Sequence, residues 1–394
     1  MNRNQQFLLF ALALYIIYSL QGILYGSGTM VTQALLFVFL LIGFVGFFRT
    51  TFLQSSNPKF VLALSVFFLL LTVTFLIGPK TVYGVTFEGM GMASTFGQYK
   101  SICFVILSFF LVYYYTKKRP MSEKTILILG IVLIGVAVMR YFYSIQMLQI
   151  ERGRDEMQNN AAYNIIAVIP FMPFLFRKYK ILTTVLSVFL ISLIINAAKR
   201  GAIVCLIVSV FLGLLYYMRH SRLSSFKQFW ILVVMIAVSF LMIQLTMQND
   251  FLMDRLDDTR EGNLGSREIA YAMLWDSWLR SDNVFTMFFG RGLMQTVNVW
   301  GNTAHNDWLE LLIDNGLLGV IVYIYFFVTV FRYITKMDEG GMFQLGAFLS
   351  IAIFLTKTFF SMGYADFINV PLLISLGIYT GNYEYSKRVT QIIK

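Results

Sequence analysis

Charge is scarce in this sequence of 394 residues, and histidine and cysteine are scarcer. Only 13% of the residues are Asp, Glu, Lys or Arg, whereas 58% are hydrophobic. A soluble fold of this length covers itself with polar groups, so the composition excludes a soluble globular protein. The two histidines, His220 and His305, are too few for a histidine-rich metal site. The two cysteines, Cys103 and Cys205, fall within apolar runs, which argues against a disulfide framework.

Apolar runs of roughly 17–20 residues recur along the chain, and this is the length that spans a bilayer. They predict an all-α polytopic membrane protein with about twelve transmembrane helices. The first run follows MNRNQQ without a cleavage site, so we interpret it as a retained span. The predicted spans are 6–24, 30–48, 60–78, 100–116, 125–143, 161–176, 181–197, 201–218, 229–247, 316–334, 343–361 and 366–382.

The distribution of basic residues predicts the orientation of these spans. Most Lys and Arg residues fall in connections on the same side as the two termini, including the clusters at 117–119 and 177–180. By the positive-inside rule, both termini are therefore cytoplasmic. The net charge of +11 reflects this bias and contact with anionic membrane lipids. Binding to nucleic acid has no support.

One long polar segment, residues 248–315, divides the chain. We predict spans one to nine in 1–247, a large periplasmic loop in 248–315, and spans ten to twelve with a cytoplasmic tail in 316–394. A long loop of this kind is usually functional or disordered. Ile269, Met273, Trp275 and Leu279 recur at helical spacing, so we expect short amphipathic helices over the outer face.

The stretch TAHNDWLELLIDNGLLG at 303–319 contains His305, one of the two histidines. Asn302 or Thr303 could cap a helix of about three turns that ends at Gly316. His305 would then lie in the first turn, where the helix dipole disfavours a charged imidazole. We therefore expect a neutral side chain that can accept a proton.

Three acids follow His305 in the same stretch, namely Asp307, Glu310 and Asp314. On a helix they form an acidic stripe along one flank. The same residue types would also suit a polar helix at the membrane entry with an incidental histidine.

Four cations are predicted at the outer ends of spans: Arg140, Lys199, Arg200 and Lys357. Their only acidic neighbours, Glu151 and Asp366, are some distance away in sequence. Each cation alone could extend to the lipid headgroups. Several unpaired cations that converge on one side suit a multiply charged anion such as a lipid-linked diphosphate.

Two arginines of the long loop are further candidates. Arg267 lies in GSREIAYAMLWDS and could bind an anion or form a salt bridge with Glu268 or Asp258. Arg291 lies in a Gly-Arg-Gly sequence that is typical of a tight turn.

These segments resemble one known family. TAHNDWLELLIDNGLLG resembles the signature of the O-antigen ligase and polymerase superfamily. NAAKRGAIVCLIV, LGSREIAYAMLWDS and FFGRGL resemble three further family segments, in the family's order. The specific motifs lie within 196–319. The chain departs from the family at Lys199, where a small hydroxyl residue is usual, and at Tyr271, where tryptophan is common.

The resemblance implies a glycosyl transfer that needs no metal or cofactor, on the periplasmic side of a bacterial inner membrane. The implied donor is a saccharide on undecaprenyl diphosphate, and the acceptor is a lipid-linked repeat unit or the lipid A core. A chain-length regulator protein is a conceivable partner. The resemblance makes His305 the general base and assigns the diphosphate to Arg200 and Arg267. The expected substrate-binding residues are Lys199, Asn306, Arg140, Lys357, Tyr271 and Arg291.

Other functions fit parts of the sequence. The compact loop favours a polymerase over a ligase. A flippase or transporter of lipid-linked oligosaccharides would have charges at mid-membrane and an internal repeat, and we found neither. A metal-dependent polyprenyl glycosyltransferase would need an acid pair in the first outer loop, but residues 24–29 contain no acid.

Overall fold

The computed structural model describes residues 3–54, 56–79, 94–152, 159–220, 266–281, 283–337 and 341–393, with single residues 233 and 244. Within these residues the chain is helical and has no strand. The helices of the first half are α1 (Arg3–Tyr25), α2 (Met30–Leu53), α3 (Lys59–Ile77), α4 (Thr95–Lys118), α5 (Glu123–Arg152), α6 (Ala162–Val168), α7 (Met172–Lys178), α8 (Lys180–Asn196) and α9 (Arg200–His220). The remaining described helices are α10 (Ser266–Leu279), α11 (Val284–Phe289), α12 (Gln295–Trp300), α13 (Asp307–Asp314), α14 (Gly316–Ile334), α15 (Met342–Phe360) and α16 (Val370–Ile393).

Seven of the described helices, α1 to α5 with α14 and α15, are long and apolar enough to cross a membrane. α8 and α9 are also apolar, but their apolar stretches, Lys180–Asn196 and Arg200–Tyr216, are shorter than those of the seven. α16 corresponds to the predicted span 366–382, although its second half is polar. The predicted span 229–247 lies outside the described residues apart from 233 and 244. A multi-pass membrane protein is thus supported, and the number of twelve spans stays a prediction.

The predicted single span 161–176 is wrong as a continuous helix. Here α6 and α7 are separated by a turn of 3₁₀-helix, Ile169–Phe171. Pro170 and Pro173 lie at the first turns of the 3₁₀-helix and of α7. Proline has no backbone N–H and cannot continue the α-helical hydrogen-bond ladder, so the helix breaks at this point.

α4 forms the centre of the helical bundle, and almost every side chain from Ile102 to Lys117 is buried. It packs between α2 and α16. Small residues permit this closeness, because a Cβ at Gly46 of α2 would lie 2.9 Å from the Phe110 carbonyl oxygen. On the other side, the Thr116 hydroxyl donates to the Gly377 carbonyl of α16 at 3.2 Å.

The short helices α10 to α13 pack against one common end of the bundle. The Asn315 amide donates to the Thr74 hydroxyl on α3 at 2.6 Å, and the Trp308 indole donates to Thr358 on α15 at 3.1 Å. The prediction of short helices in this loop is confirmed for residues 266–314, and residues 248–265 lie outside the described residues. The predicted domain boundaries at 247 and 315 and the periplasmic location of the loop stay predictions.

Candidate active site

His305 immediately precedes the N-cap of α13. The cap is Asn306, whose side-chain oxygen accepts from the backbone N–H groups of Trp308 and Leu309 at 3.0 and 3.2 Å. The prediction that Asn302 or Thr303 caps the helix is therefore wrong, and His305 does not lie in its first turn. The imidazole is attached to the segment that leads into the helix.

The backbone of His305 adopts the left-handed region, with φ of 52°. Ala198, directly before Lys199 and Arg200, has φ of 48°. This region is uncommon for residues other than glycine and costs on the order of 1 kcal/mol for each residue. Conformations of this kind persist only where surrounding contacts impose them, and they cluster at functional sites. The two segments that carry the candidate imidazole and cations are thus both conformationally constrained.

Buried carboxylates hold the chain on both sides of His305. Glu310 accepts from the Ala304 backbone N–H at 2.5 Å and from the Thr296 hydroxyl at 2.6 Å. Asp307 accepts from the Gly363 backbone N–H at 2.7 Å and from the Tyr323 hydroxyl at 2.7 Å. A third donor to Asp307 is the backbone N–H of the residue after Gly363, at 3.3 Å. These bonds fix the backbone before and after the imidazole.

Asp314 anchors the far end of α13. Its carboxylate accepts from the backbone N–H groups of Met294 and Gln295 at 2.8 and 2.9 Å. The Gly-Arg-Gly turn closes the same end, because the Arg291 N–H donates to the Ile313 carbonyl at 2.9 Å. All three acids of α13 are completely buried, and each accepts hydrogen bonds from protein donors.

Burial controls the protonation of these acids. It raises the pKa of Asp307 to about 7, against the effect of the hydrogen bonds from Gly363 and Tyr323. Burial also raises the pKa of Glu310 and of Asp314, the latter with a further contribution from the Glu310 charge. The donors that surround each carboxylate favour its ionised form, because a protonated carboxyl would face them with a competing hydrogen.

The His305 imidazole is half-buried and sits in a positive field. Burial, together with the charges of Arg267 and Lys199, lowers its pKa to about 4, whereas the charge of Asp366 acts in the opposite direction. The side chain is therefore neutral at pH 7, as the sequence predicted. The cause differs from the predicted one, because burial and two neighbouring cations replace the helix dipole.

Arg267 and Tyr271 lie one turn apart on α10, and so on the same face of the helix. Burial raises the pKa of Tyr271, and the side chain of Asn306, the residue after the histidine, acts against this increase. Arg267 forms no ion pair within the part of the chain that the structure describes. Of the predicted alternative partners, Glu268 is exposed and Asp258 lies outside the described residues.

Lys199 and Arg200 mark the break between α8 and α9, as the sequence predicted. Both are half-buried, and Arg200 is the first residue of α9. Gly201 is confined at this point, since a Cβ there would collide with the Tyr163 hydroxyl and with the Cβ of Phe360. The start of α9 is thereby brought against α6 and the end of α15.

The other predicted cations are engaged by protein groups. Lys357 is buried, and its ammonium pairs with Asp366 at 2.7 Å and with the Asn369 side-chain oxygen at 2.9 Å. The expectation that Lys357 is unpaired is therefore wrong. The guanidinium of Arg140 lies over the ring of Phe367, 4.8 Å from its centroid.

Arg291 is a structural connection between the Gly-Arg-Gly turn and α10. Its two terminal nitrogens donate to the hydroxyl and to the backbone carbonyl of Ser277, at 2.9 and 2.6 Å. The prediction that Arg291 binds substrate therefore has no geometric support here.

Sequence reasoning missed three residues that shape the site: Asp366, Tyr323 and Gly363. The Asp366 carboxylate pairs with Lys357, and its negative charge acts to raise the pKa of His305. Gly363 approaches Asp307 so closely that a Cβ would contact its carboxylate. The sequence shows only how far apart Lys357 and Asp366 lie in the chain. The two side chains can meet because α15 ends at Phe360, between them.

Residues 185–324 match a protein-family model described as O-antigen ligase. The matched segment contains Lys199, Arg200, Arg267 and His305, the residues on which the resemblance rests. The resemblance to the O-antigen ligase and polymerase superfamily is thus confirmed for this part of the chain. A comparison with curated protein sequences found no significant match.

Proposed function

From the O-antigen ligase match, we propose that this protein is a glycosyltransferase of the bacterial inner membrane that polymerises surface-polysaccharide repeat units. The donor is a saccharide on undecaprenyl diphosphate, and the active site faces the periplasm. One observation carries the proposal: a neutral imidazole, His305, lies within the electrostatic reach of Lys199 and Arg267. This arrangement suits a proton acceptor next to a polyanion.

His305 is the general base in this proposal. The acceptor hydroxyl transfers its proton to the imidazole as its oxygen attacks the anomeric carbon of the donor. The bond from that carbon to the diphosphate breaks, and its electron pair stays on the diphosphate oxygen. Arg200 and Arg267 stabilise the negative charge that develops there, and their planar guanidinium groups suit phosphate oxygens.

The donor itself makes His305 a stronger base. In the free protein, burial and the two cations hold the pKa of the imidazole at about 4, which is low for a proton acceptor. A bound diphosphate adds negative charge beside Arg267 and Lys199 and so raises the pKa of His305. The imidazole thus gains basicity only when the donor is in place.

The proposed reaction uses no metal ion. Asp307, Glu310 and Asp314 are the acids nearest to His305 in sequence, and their oxygens accept hydrogen bonds from backbone and hydroxyl donors. A metal ion would have to displace these donors. The proposal therefore assigns the stabilisation of the leaving group to the arginines alone.

The acceptor distinguishes a polymerase from a ligase. Purified protein in lipid nanodiscs would be given a radiolabelled lipid-linked repeat unit, with and without lipid A core as a second acceptor. A polymerase extends the repeat unit into a ladder of products without lipid A core. Transfer that depends on lipid A core would instead identify a ligase. In sealed proteoliposomes, movement of the intact donor across the bilayer without any new glycosidic bond would identify a flippase.

A further inference from the structure

A cavity lies at the end of the bundle opposite the candidate active site. It has a volume of about 700 Å³ and is lined by the α2–α3 connection and by residues of α4, α14 and α16. None of its lining residues belongs to the segments around His305. Its size is in the range of cavities that hold small molecules or lipid headgroups.

The charge of this cavity is strongly positive. Among the residues that the structure describes, six cations line it and Glu384 is its one acidic lining residue. The Glu384 carboxylate is engaged by the Tyr333 hydroxyl at 2.6 Å. No ion pair among the described residues involves a lining residue, and Asp338 and Glu339 lie outside them. The six cations are Lys59, Lys117, Arg332, Lys336, Lys387 and Arg388.

Lys117 shows how the protein holds this charge. The residue is only 2% exposed, and its ammonium donates to three neutral oxygens of the α2–α3 connection. These belong to the Gln54 side chain at 3.1 Å, the Ser56 carbonyl at 3.0 Å and the Asn57 side chain at 3.0 Å. A buried cation that forms no ion pair is costly, and the nearby charge of Glu384 offsets only part of this cost. An anion in the cavity would offset that cost.

We propose that this cavity binds a phosphate-bearing ligand, either the headgroup of an anionic membrane lipid or a soluble phosphate compound. Arg332 and Arg388 come from different helices and offer two guanidinium groups that can each bind phosphate in a bidentate manner. Basic cavities between the cytoplasmic ends of transmembrane helices suit multiply charged lipid headgroups. The proposal is independent of the proposed function, because it uses none of the residues of that site.

The test compares full-length protein with a cavity variant and a charge-matched control. The cavity variant is Arg332→Ala/Arg388→Ala. The control is Lys124→Ala/Lys180→Ala, which removes two exposed cations that do not line the cavity. Native mass spectrometry would measure the Kd for diphosphatidylglycerol, for phosphatidylcholine and for inorganic pyrophosphate, after gel filtration has shown that each protein is monodisperse.

We expect wild type and control to bind diphosphatidylglycerol equally and the cavity variant to bind it about tenfold more weakly. The variant Lys59→Ala/Lys387→Ala, which removes two other lining cations, should weaken it as well. Phosphatidylcholine should bind all proteins alike. Pyrophosphate binding with the same dependence, in the absence of lipid binding, would identify a soluble ligand. Equal Kd values in all variants, or no binding of either anionic probe to wild type, would refute the proposal.

Discussion

At the scale of single residues, His305 is distinguished from the other histidine by its surroundings. His305→Gln keeps a hydrogen-bonding side chain but cannot take a proton, so glycosyl transfer should fall by about 10²–10⁴-fold. His220 ends α9, whose other end carries Arg200, and His220→Ala should retain wild-type transfer. Both variants would be compared in the nanodisc assay at equal membrane levels. Near wild-type transfer by His305→Gln would make the imidazole a structural residue.

The field around His305 gives a pH dependence with a defined sign. The imidazole must be neutral to act as a base, so activity is lost as pH falls through its pKa. In the free protein that pKa is about 4, and kcat/KM should therefore decline only in strongly acidic buffer. Bound donor raises the pKa, so the acid limb of kcat should lie at higher pH. Coincident limbs in the two profiles would contradict the proposed effect of the diphosphate.

Arg200 and Arg267 are expected to act through the shape of the guanidinium group as well as its charge. Alanine at either position should abolish detectable transfer. Arg200→Lys should restore little, since an ammonium cannot bind phosphate through two parallel hydrogen bonds. Arg280→Ala is the matched control, because Arg280 directly follows the helix that carries Arg267, and its ion pair among the described residues is with exposed Asp276. Full transfer by an alanine variant that is present at normal levels removes that residue from the site.

At the scale of elements, α13 is held by its buried acids, and this gives a prediction about stability. Asp307→Asn is nearly isosteric, but its amide N–H₂ would face either the Gly363 N–H or the Tyr323 hydroxyl. The free energy of unfolding should fall by about 1–3 kcal/mol for the unsatisfied donor. Thermal unfolding in detergent would measure the loss, with Asp276→Asn as an exposed control. Equal midpoints for Asp307→Asn and wild type would show that the carboxylate does not hold the helix.

Sequence patterns located some elements well for a physical reason. The predicted span 316–334 coincides with α14, and the predicted span 60–78 differs from α3 by one residue at each end. Both are continuous apolar runs whose helical form follows from local composition. The cap of α13 was misplaced because Asn302, Thr303 and Asn306 are all suitable caps. The choice among them depends on the Glu310 contact with Ala304, which local sequence does not reveal.

Some residues of the candidate site could be named from the sequence, but their contacts could not. His305, Arg267 and Lys199 stand out because titratable groups are rare in this chain, and the structure brings their charges into one field. The partners of Asp307 include Tyr323 and Gly363, which lie 16 and 56 residues further along the chain, so no local pattern indicates them. From the residue type alone, an acidic side chain would be expected at the surface. Only the tertiary structure shows that Asp307 is buried.

At the scale of the whole molecule, the proposed chemistry depends on protein cations without a metal ion. Purified protein treated with EDTA should therefore transfer sugar at the untreated rate, and added Mg²⁺ or Mn²⁺ should not increase it. A metal-dependent glycosyltransferase assayed in the same nanodiscs serves as the control for complete chelation. Loss of transfer on chelation, with recovery on adding either ion, would refute the proposed mechanism.

The central position of α4 has a consequence for biosynthesis. α4 enters the membrane well before α16, because Thr116 and its partner Gly377 are 261 residues apart in the chain. Thr116 also donates to the Val112 carbonyl, and Ser108 donates to the Val105 carbonyl, both within α4. These internal bonds satisfy the two hydroxyls in lipid before α16 exists. α4 can therefore be stable in the bilayer while the rest of the chain is still being synthesised. Its packing against α16 is a late step of assembly.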